Sequence, residues 1–123
     1  MSKAVHAPAA PAQAGPYSHA VRSGNLVFCS GQGPFEPDGS GIPDGFDAQA
    51  RRTFRNLAVV AEAAGGSLAD VVRVGVYLQD MANFPAMNAV YGEFFSEPYP
   101  ARTTIQSGLR IAIEVDAVLE LAE

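Results

Sequence analysis

Hydrophobic and polar residues alternate along this chain with two periods, and the points where the period changes divide it into elements. In "YSHAVRSGNLVFCSGQ" two short apolar runs flank Ser23-Gly24-Asn25, a turn signal that predicts two strands. "GPFEPDGSGIPDG" then collects Gly, Pro and Asp, which predicts a loop long enough to border a site. In "FDAQARRTFRNLAVVAEAAGG" the period becomes helical. Ala50, Phe54, Leu57, Ala58, Ala61 and Ala64 fall on one stripe, with Arg51, Arg52, Arg55 and Glu62 largely elsewhere. Asp47 is the expected N-cap and Gly65-Gly66 the stop. "DVVRVGVYLQD" reads as a buried strand with Val72, Val74, Val76 and Leu78 on one face. A second helix follows in "NFPAMNAVYGEFFSE", capped by Asn83, with Pro85 tolerated in the first turn. Its apolar stripe is Phe84, Met87, Tyr91, Phe94 and Phe95, and Asn88 falls inside that stripe. Two strands, at 101–106 and 111–121, finish the chain. Residues 1–16, rich in Ala and Pro, read as an extended arm.

The order of elements is therefore ββαβαββ. It predicts an α+β fold, a mixed β-sheet with two helices packed on one face. No repeat or second domain interrupts it, so residues 1–123 form one domain by the length prior. With 48% hydrophobic and only 17% charged residues, the chain can build a core and still leave apolar surface for a subunit contact.

Charge narrows the function classes. The net charge is −5, and the only local basic cluster is Arg51, Arg52 and Arg55 on the first helix. That balance argues against nucleic acid as a partner. Cys29 is the only cysteine and lies in the apolar run "NLVFCSG", which predicts a buried, inert thiol. His6 and His19 are far apart with no HxxxH spacing, so no metal site is expected. Lys3 is the only lysine, which leaves "GQGP" without a P-loop partner. No apolar run reaches membrane-spanning length, and the N-terminus has no apolar signal core. The expectation is a cytoplasmic protein with no membrane partner.

The chemistry concentrates near "YPARTTIQ". Arg102, Thr104 and Gln106 share one strand face, and Ala112, Glu114 and Asp116 share a face of the last strand. If those two strands form a hairpin closed by a three-residue turn through Arg110, Arg102 lies opposite Asp116 and Thr104 opposite Glu114. A shift by one residue would turn Glu114 onto the face of Ile105 instead. The plain reading is a cross-strand ion pair, worth about 0–1 kcal/mol when exposed. The functional reading is that Arg102 receives a substrate carboxylate through its fork of N–H donors, leaving Glu114 for acid–base work. Tyr17 at the opening of the first strand, Ser30 before glycines and Asn88 on an apolar helix face are further candidates, each with internal satisfaction as the plain alternative.

These residues sit in blocks that resemble one family. "AGPYSHAV", "GNLVFCSGQ", "AQARRTFRNL", "NAVYGEFF", "PARTTI" and "IEVDAV" look like the successive signature blocks of the RidA (YjgF) family, in the family's order over nearly the whole chain. The resemblance implies a chorismate-mutase-like fold and a homotrimer with a site in each cleft between subunits. It also implies an enamine/imine deaminase that needs no metal and no cofactor. Such an enzyme, a 2-iminobutanoate/2-iminopropanoate deaminase-like hydrolase, converts 2-aminoacrylate-like 2-imino acids to 2-keto acids and ammonia. Carried over position by position, Arg102 matches the carboxylate clamp and Glu114 the residue that positions or activates water. Tyr17, Ser30, Gly31 and Asn88 match pocket positions. Thr104 stands where some members have cysteine.

Two stretches depart from the family pattern. "FFSEPYPAR" and "SGLR" are both shorter than the usual links, so the pocket rim is expected to differ. The resemblance leaves two alternatives: a larger catabolic enamine such as 2-aminomuconate as substrate, or a non-catalytic trimer that binds small carboxylates or partner proteins. RNA cleavage, an older family assignment, is disfavoured by the acidic balance.

Overall fold

A computed structural model describes residues 2–122. In chain order it contains β1 (Ser2–Val5), β2 (Ala20–Ser23), β3 (Leu26–Gln32), α1 (Phe46–Ala63), β4 (Val71–Leu78), α2 (Phe84–Phe94), β5 (Ala101–Gln106) and β6 (Ile113–Glu120). Short 3₁₀ turns at Leu68–Asp70 and Met81–Asn83 lead into β4 and α2. The six strands form one mixed sheet in the order β1-β2-β3-β6-β4-β5, with both helices on one face. The expected α+β class and helix-on-sheet arrangement are what the structure contains.

The core lies between helices and sheet. Phe54, Leu57, Val60 and Ala61 of α1 meet Val27, Val74, Val76, Leu78, Ile113, Val115 and Leu119 of the sheet, all of them buried. Phe54 anchors α1 to α2 by edge-on contact with Tyr91 and Phe95. Helix α1 ends as its glycines require. Gly65 takes φ 94°, and the Gly66 and Gly65 N–H groups donate to Ala61 and Glu62 carbonyls, closing the last turn. At its start, Gly45 and not Asp47 occupies the cap, and no side chain caps the helix. Asp47 instead sits in the first turn, where its charge complements the helix dipole. Asn83 likewise precedes α2 without a side-chain cap, and Asp80 caps the 3₁₀ turn before it.

Two further expectations need correction, for Val72 and for β5. The N-terminal arm, read as extended, is also tied to the sheet. Ser2–Val5 pairs antiparallel with β2, and Ala7 and Ala10 are buried. His19 holds the arm: its Nδ1 accepts from the Ala7 N–H at 3.0 Å and its Nε2 donates to the Pro11 carbonyl at 2.9 Å. An Ala- and Pro-rich run has no period of its own, and its order comes from the unpaired edge of β2 and from this buried imidazole.

Val72 is not on the face of Val74. The pairing of β4 with β6 shifts between Val71 and Arg73, so Val71 turns inward and Val72 is left exposed.

The last correction concerns β5. It does not pair with β6. Helix α2 is the crossover of a parallel β4–α2–β5 unit, which places β5 at the sheet edge beside β4, while β6 enters between β3 and β4. The expected hairpin does not exist, and its register goes with it.

Candidate functional site

Arg102 and Glu114 lie on opposite faces of the sheet. Val74 of β4 pairs with Arg102 on one side and Ala117 on the other, and Val74 and Ala117 face the core. Tyr77 pairs with Ile105 and Glu114, and these three face away from the helices. Glu114 thus shares the face of Ile105 and not that of Arg102. Arg102, Glu114 and Asp116 do not form one polar face. The two candidate halves are separated by the sheet itself.

The open-face half gathers Tyr17, Ser30, Gly31 and Glu114 around one shallow pocket. Ser30 and Gly31 occupy an irregularity of β3, where pairing with β6 shifts between Cys29 and Gln32. A side chain at position 31 would bring a Cβ to 2.6 Å from Glu114 Oε2, so glycine lets the carboxylate lie against the β3 backbone. Ser30 Oγ donates to the Ser18 carbonyl at 2.7 Å, and the Ser30 N–H donates to the His19 carbonyl. These bonds fix the segment that presents Tyr17, which lies before β2 rather than at its opening. Tyr17 is 47% exposed, with its hydroxyl accepting from the Ala14 N–H. A neighbouring cavity of about 300 Å³ runs beneath the arm, between Gln13, Phe35 and Arg110, and reaches Glu114.

Burial raises the Glu114 carboxyl above its ordinary range, and the nearby Asp116 charge adds to the effect. Asp116 lies two residues along the same face and accepts a 3.0 Å hydrogen bond from the Tyr77 hydroxyl. Gly75 opposite makes room for this pair: a Cβ there would collide with Asp116 Oδ1 and lie 2.9 Å from the Tyr77 oxygen.

The helix-face half is built from α2 and β5. Arg102 emerges from β5 into a pocket of about 450 Å³ walled by Asn88, Tyr91, Gly92, Tyr99 and Pro100. Its guanidinium lies over the Tyr91 ring, 4.7 Å from the centroid, and 5.7 Å from that of Phe84. It points Nη1 at Met87 Sδ, 3.9 Å away. Among the described residues the one salt bridge is Arg51–Glu93, so no carboxylate neutralises Arg102. Thr104, two residues on, shares the Arg102 face.

The remaining chemistry-bearing residues have structural partners. Cys29 is buried, and burial together with the Asp116 charge pushes its thiol up to about 12, which makes it a poor nucleophile. Two arginines of the basic stripe on α1 are engaged: Arg51 makes two 2.9 Å bonds to Glu93, and Arg52 donates to Asn56. Among the described residues no group of three or more His, Cys, Asp or Glu is placed to hold a metal. None of their helices is long and apolar enough to cross a membrane.

Sequence reasoning missed three contributors. Asn56 is fully buried and donates to the Gly33 and Phe35 carbonyls, pinning the loop after β3 to α1. A polar residue on the buried side of α1 was the available signal. Tyr77 reads as a strand tyrosine, and only the pairing shows its bond to Asp116. Tyr91 reads as core, and its place under Arg102 appears only in three dimensions.

Comparison with known proteins agrees with this architecture. Residues 7–120 match the family model described as Endoribonuclease L-PSP. The chain is 48% identical over 94 residues to "Protein mmf2, mitochondrial" of Schizosaccharomyces pombe, covering 76% of this chain and 74% of that protein. It is 36% identical to the 2-iminobutanoate/2-iminopropanoate deaminase of Escherichia coli K12, covering 96% of this chain and 97% of that one. The crystal structure of RidA from the Antarctic bacterium Psychrobacter sp. PAMC 21119 superimposes with a TM-score of 0.93 at 41% identity, over 97% of this chain and 99% of that chain. With the whole fold and almost the whole length matched, the chain belongs to the Endoribonuclease L-PSP family, the YjgF/RidA family.

Proposed function

We propose that this protein is a cofactor-free deaminase of small 2-imino acids, with its site completed between copies of the chain. The observation that carries the reading is the half-buried Arg102, which has no carboxylate partner among the described residues and opens into a pocket. A cation held this way is ready for an anionic ligand. The Escherichia coli relative is a 2-iminobutanoate/2-iminopropanoate deaminase, and those imino acids are ligands of that kind.

Arg102 and Glu114 of one copy cannot reach one small substrate, because the sheet lies between them. The Arg102 half of one copy therefore docks against the Glu114 half of the next. The open face supports such an assembly through Leu26, Phe28, Val72 and Ile105, all substantially exposed. The family resemblance supports a homotrimer with three equivalent clefts as that assembly.

In the cleft, Arg102 fixes the carboxylate and so places C2 of the protonated imine. A water held by Glu114 attacks C2. As the C–O bond forms, the C=N pair moves onto nitrogen and Glu114 takes the water proton. Glu114 then returns the proton to nitrogen. The carbinolamine collapses, C=O forms, the C–N bond breaks, and ammonia leaves with the remaining proton. The raised Glu114 carboxyl suits a group that must accept and return a proton in one cycle. Tyr17, Ser30 and Gly31 shape the water side, and Asn88 and Thr104 the carboxylate side.

The test is keto-acid release coupled to a serine or threonine dehydratase. Purified protein is expected to accelerate it, and Arg102→Ala to remove the acceleration with the fold intact. Tight 2-keto acid binding without turnover of any imine would make the protein a carboxylate-binding relative instead.

A further inference from the structure

Among the described residues, two buried side-chain polar atoms have no hydrogen-bond partner: the Tyr91 hydroxyl and Thr104 Oγ1. Both belong to residues next to Arg102. Thr104 is two positions along the same strand face, and the Tyr91 ring lies directly under the guanidinium. An unpartnered buried hydroxyl is unfavourable, a cost that phenylalanine at position 91 would avoid. The rest of the Tyr91 environment suits phenylalanine equally well. Its ring stacks on Phe95 at 4.5 Å and meets Phe54 edge-on, and the residue is only 6% exposed.

We propose that the Tyr91 hydroxyl is a second donor to the ligand carboxylate, acting with Arg102 in the α2–β5 pocket. This deepens the deaminase reading and rests on its carboxylate clamp. A carboxylate offers about four acceptor positions, and an arginine fork uses two of them. Tyr91 lines the same pocket as Arg102 and brings a neutral donor. Burial holds its phenol protonated above the ordinary range, partly offset by the Arg102 charge, so it stays a donor at neutral and mildly alkaline pH. Because the hydroxyl has no partner in the fold, a ligand without an acceptor there leaves it unpaired. Tyr91 thereby helps restrict the pocket to acids.

The experiment is calorimetric titration of wild type, Tyr91→Phe and Arg102→Ala with 2-oxobutanoate, together with the thermal midpoint of each protein without ligand. The expected result is about tenfold weaker binding for Tyr91→Phe, the loss of one charge-assisted hydrogen bond. Its midpoint is expected to be equal to or above that of wild type, because an unpaired hydroxyl has been removed. Binding within twofold of wild type, or a midpoint several degrees lower, overturns the proposal. The second result would show that the hydroxyl serves the fold. If Tyr91→Phe binds like wild type while Arg102→Ala does not bind, the clamp stands and the Tyr91 role alone fails. If wild type does not bind, or Arg102→Ala binds as well as wild type, the clamp fails and the Tyr91 role with it.

Discussion

Arg102 on β5 and Glu114 on β6 stand in the same sheet with β4 between their strands, yet their surroundings differ in kind. Arg102 lies on the helix-covered face among aromatic rings and a thioether, with no counter-charge among the described residues within salt-bridge distance. Glu114 lies on the open face, where burial and a second carboxylate oppose its ionisation. The cation is kept charged and unpaired, and the anion is kept easy to protonate. An ion pair within one protomer would have cancelled both properties. The sheet between them keeps the two groups from neutralising each other and leaves each available to a third party.

The sharpest way to break this contrast is to neutralise one half at a time. Glu114→Gln keeps shape and removes proton transfer, with an expected kcat loss of roughly 10²–10⁴-fold in the coupled assay. The same substitution is expected to raise the thermal midpoint slightly at neutral pH. The sign follows from linkage. A carboxyl whose folded pKa lies above its unfolded value binds protons better when folded, so its ionisation disfavours the fold as pH rises between the two values. Glutamine removes that penalty, and the gain should vanish at pH values below the unfolded pKa of Glu114. A fall in midpoint at neutral pH would show that the Glu114 charge has a favourable partner in the folded state.

Arg102→Lys tests the other half more gently. It keeps the charge but loses the fork, with an expected loss of about tenfold or more in kcat/KM. An unchanged value would make Arg102 a point charge and not a bidentate clamp.

Asp116→Asn probes the coupling between the two carboxylates. In the proposed mechanism Glu114 is a base only when ionised, so activity should fall as pH drops through its raised pKa. Removing the Asp116 charge removes one cause of that rise, so the acid limb should move to lower pH. An unmoved limb would assign it to another group. The smallest effect belongs to Arg51→Ala, which breaks an exposed salt bridge to Glu93. It should cost less than about 1 kcal/mol in denaturant unfolding and leave turnover unchanged.

Much of this was legible in the sequence, for reasons that differ from residue to residue. Both helices and the inward face of β6 followed from periodicity, because Ile113, Val115 and Ala117 alternate with Glu114 and Asp116 and lie buried as expected. The arm was not legible, since its order depends on His19 and on an edge strand elsewhere. Val72 misled because one irregular step in β4 reverses the alternation. The placement of Arg102 was the costliest error. Alternation along a strand fixes which residues share a face, but the partner strand decides which face of the sheet that is. Consecutive strands are usually neighbours in space, which favours pairing β5 with β6. The α2 crossover sent β5 to the far side of β4, and Arg102 to the opposite face from Glu114.

That opposition makes subunit complementation the most direct test. Arg102→Ala and Glu114→Gln chains, each inactive alone, would be co-expressed with different tags and the mixed assemblies purified. If each cleft of a trimer takes Arg102 from one copy and Glu114 from its neighbour, every mixed trimer has one cleft in three with both native residues, about one third of its clefts. The account predicts that the mixture recovers roughly that fraction of wild-type activity. A mixed assembly as inactive as its parents would contradict it, because the two residues would then have to act within a single copy.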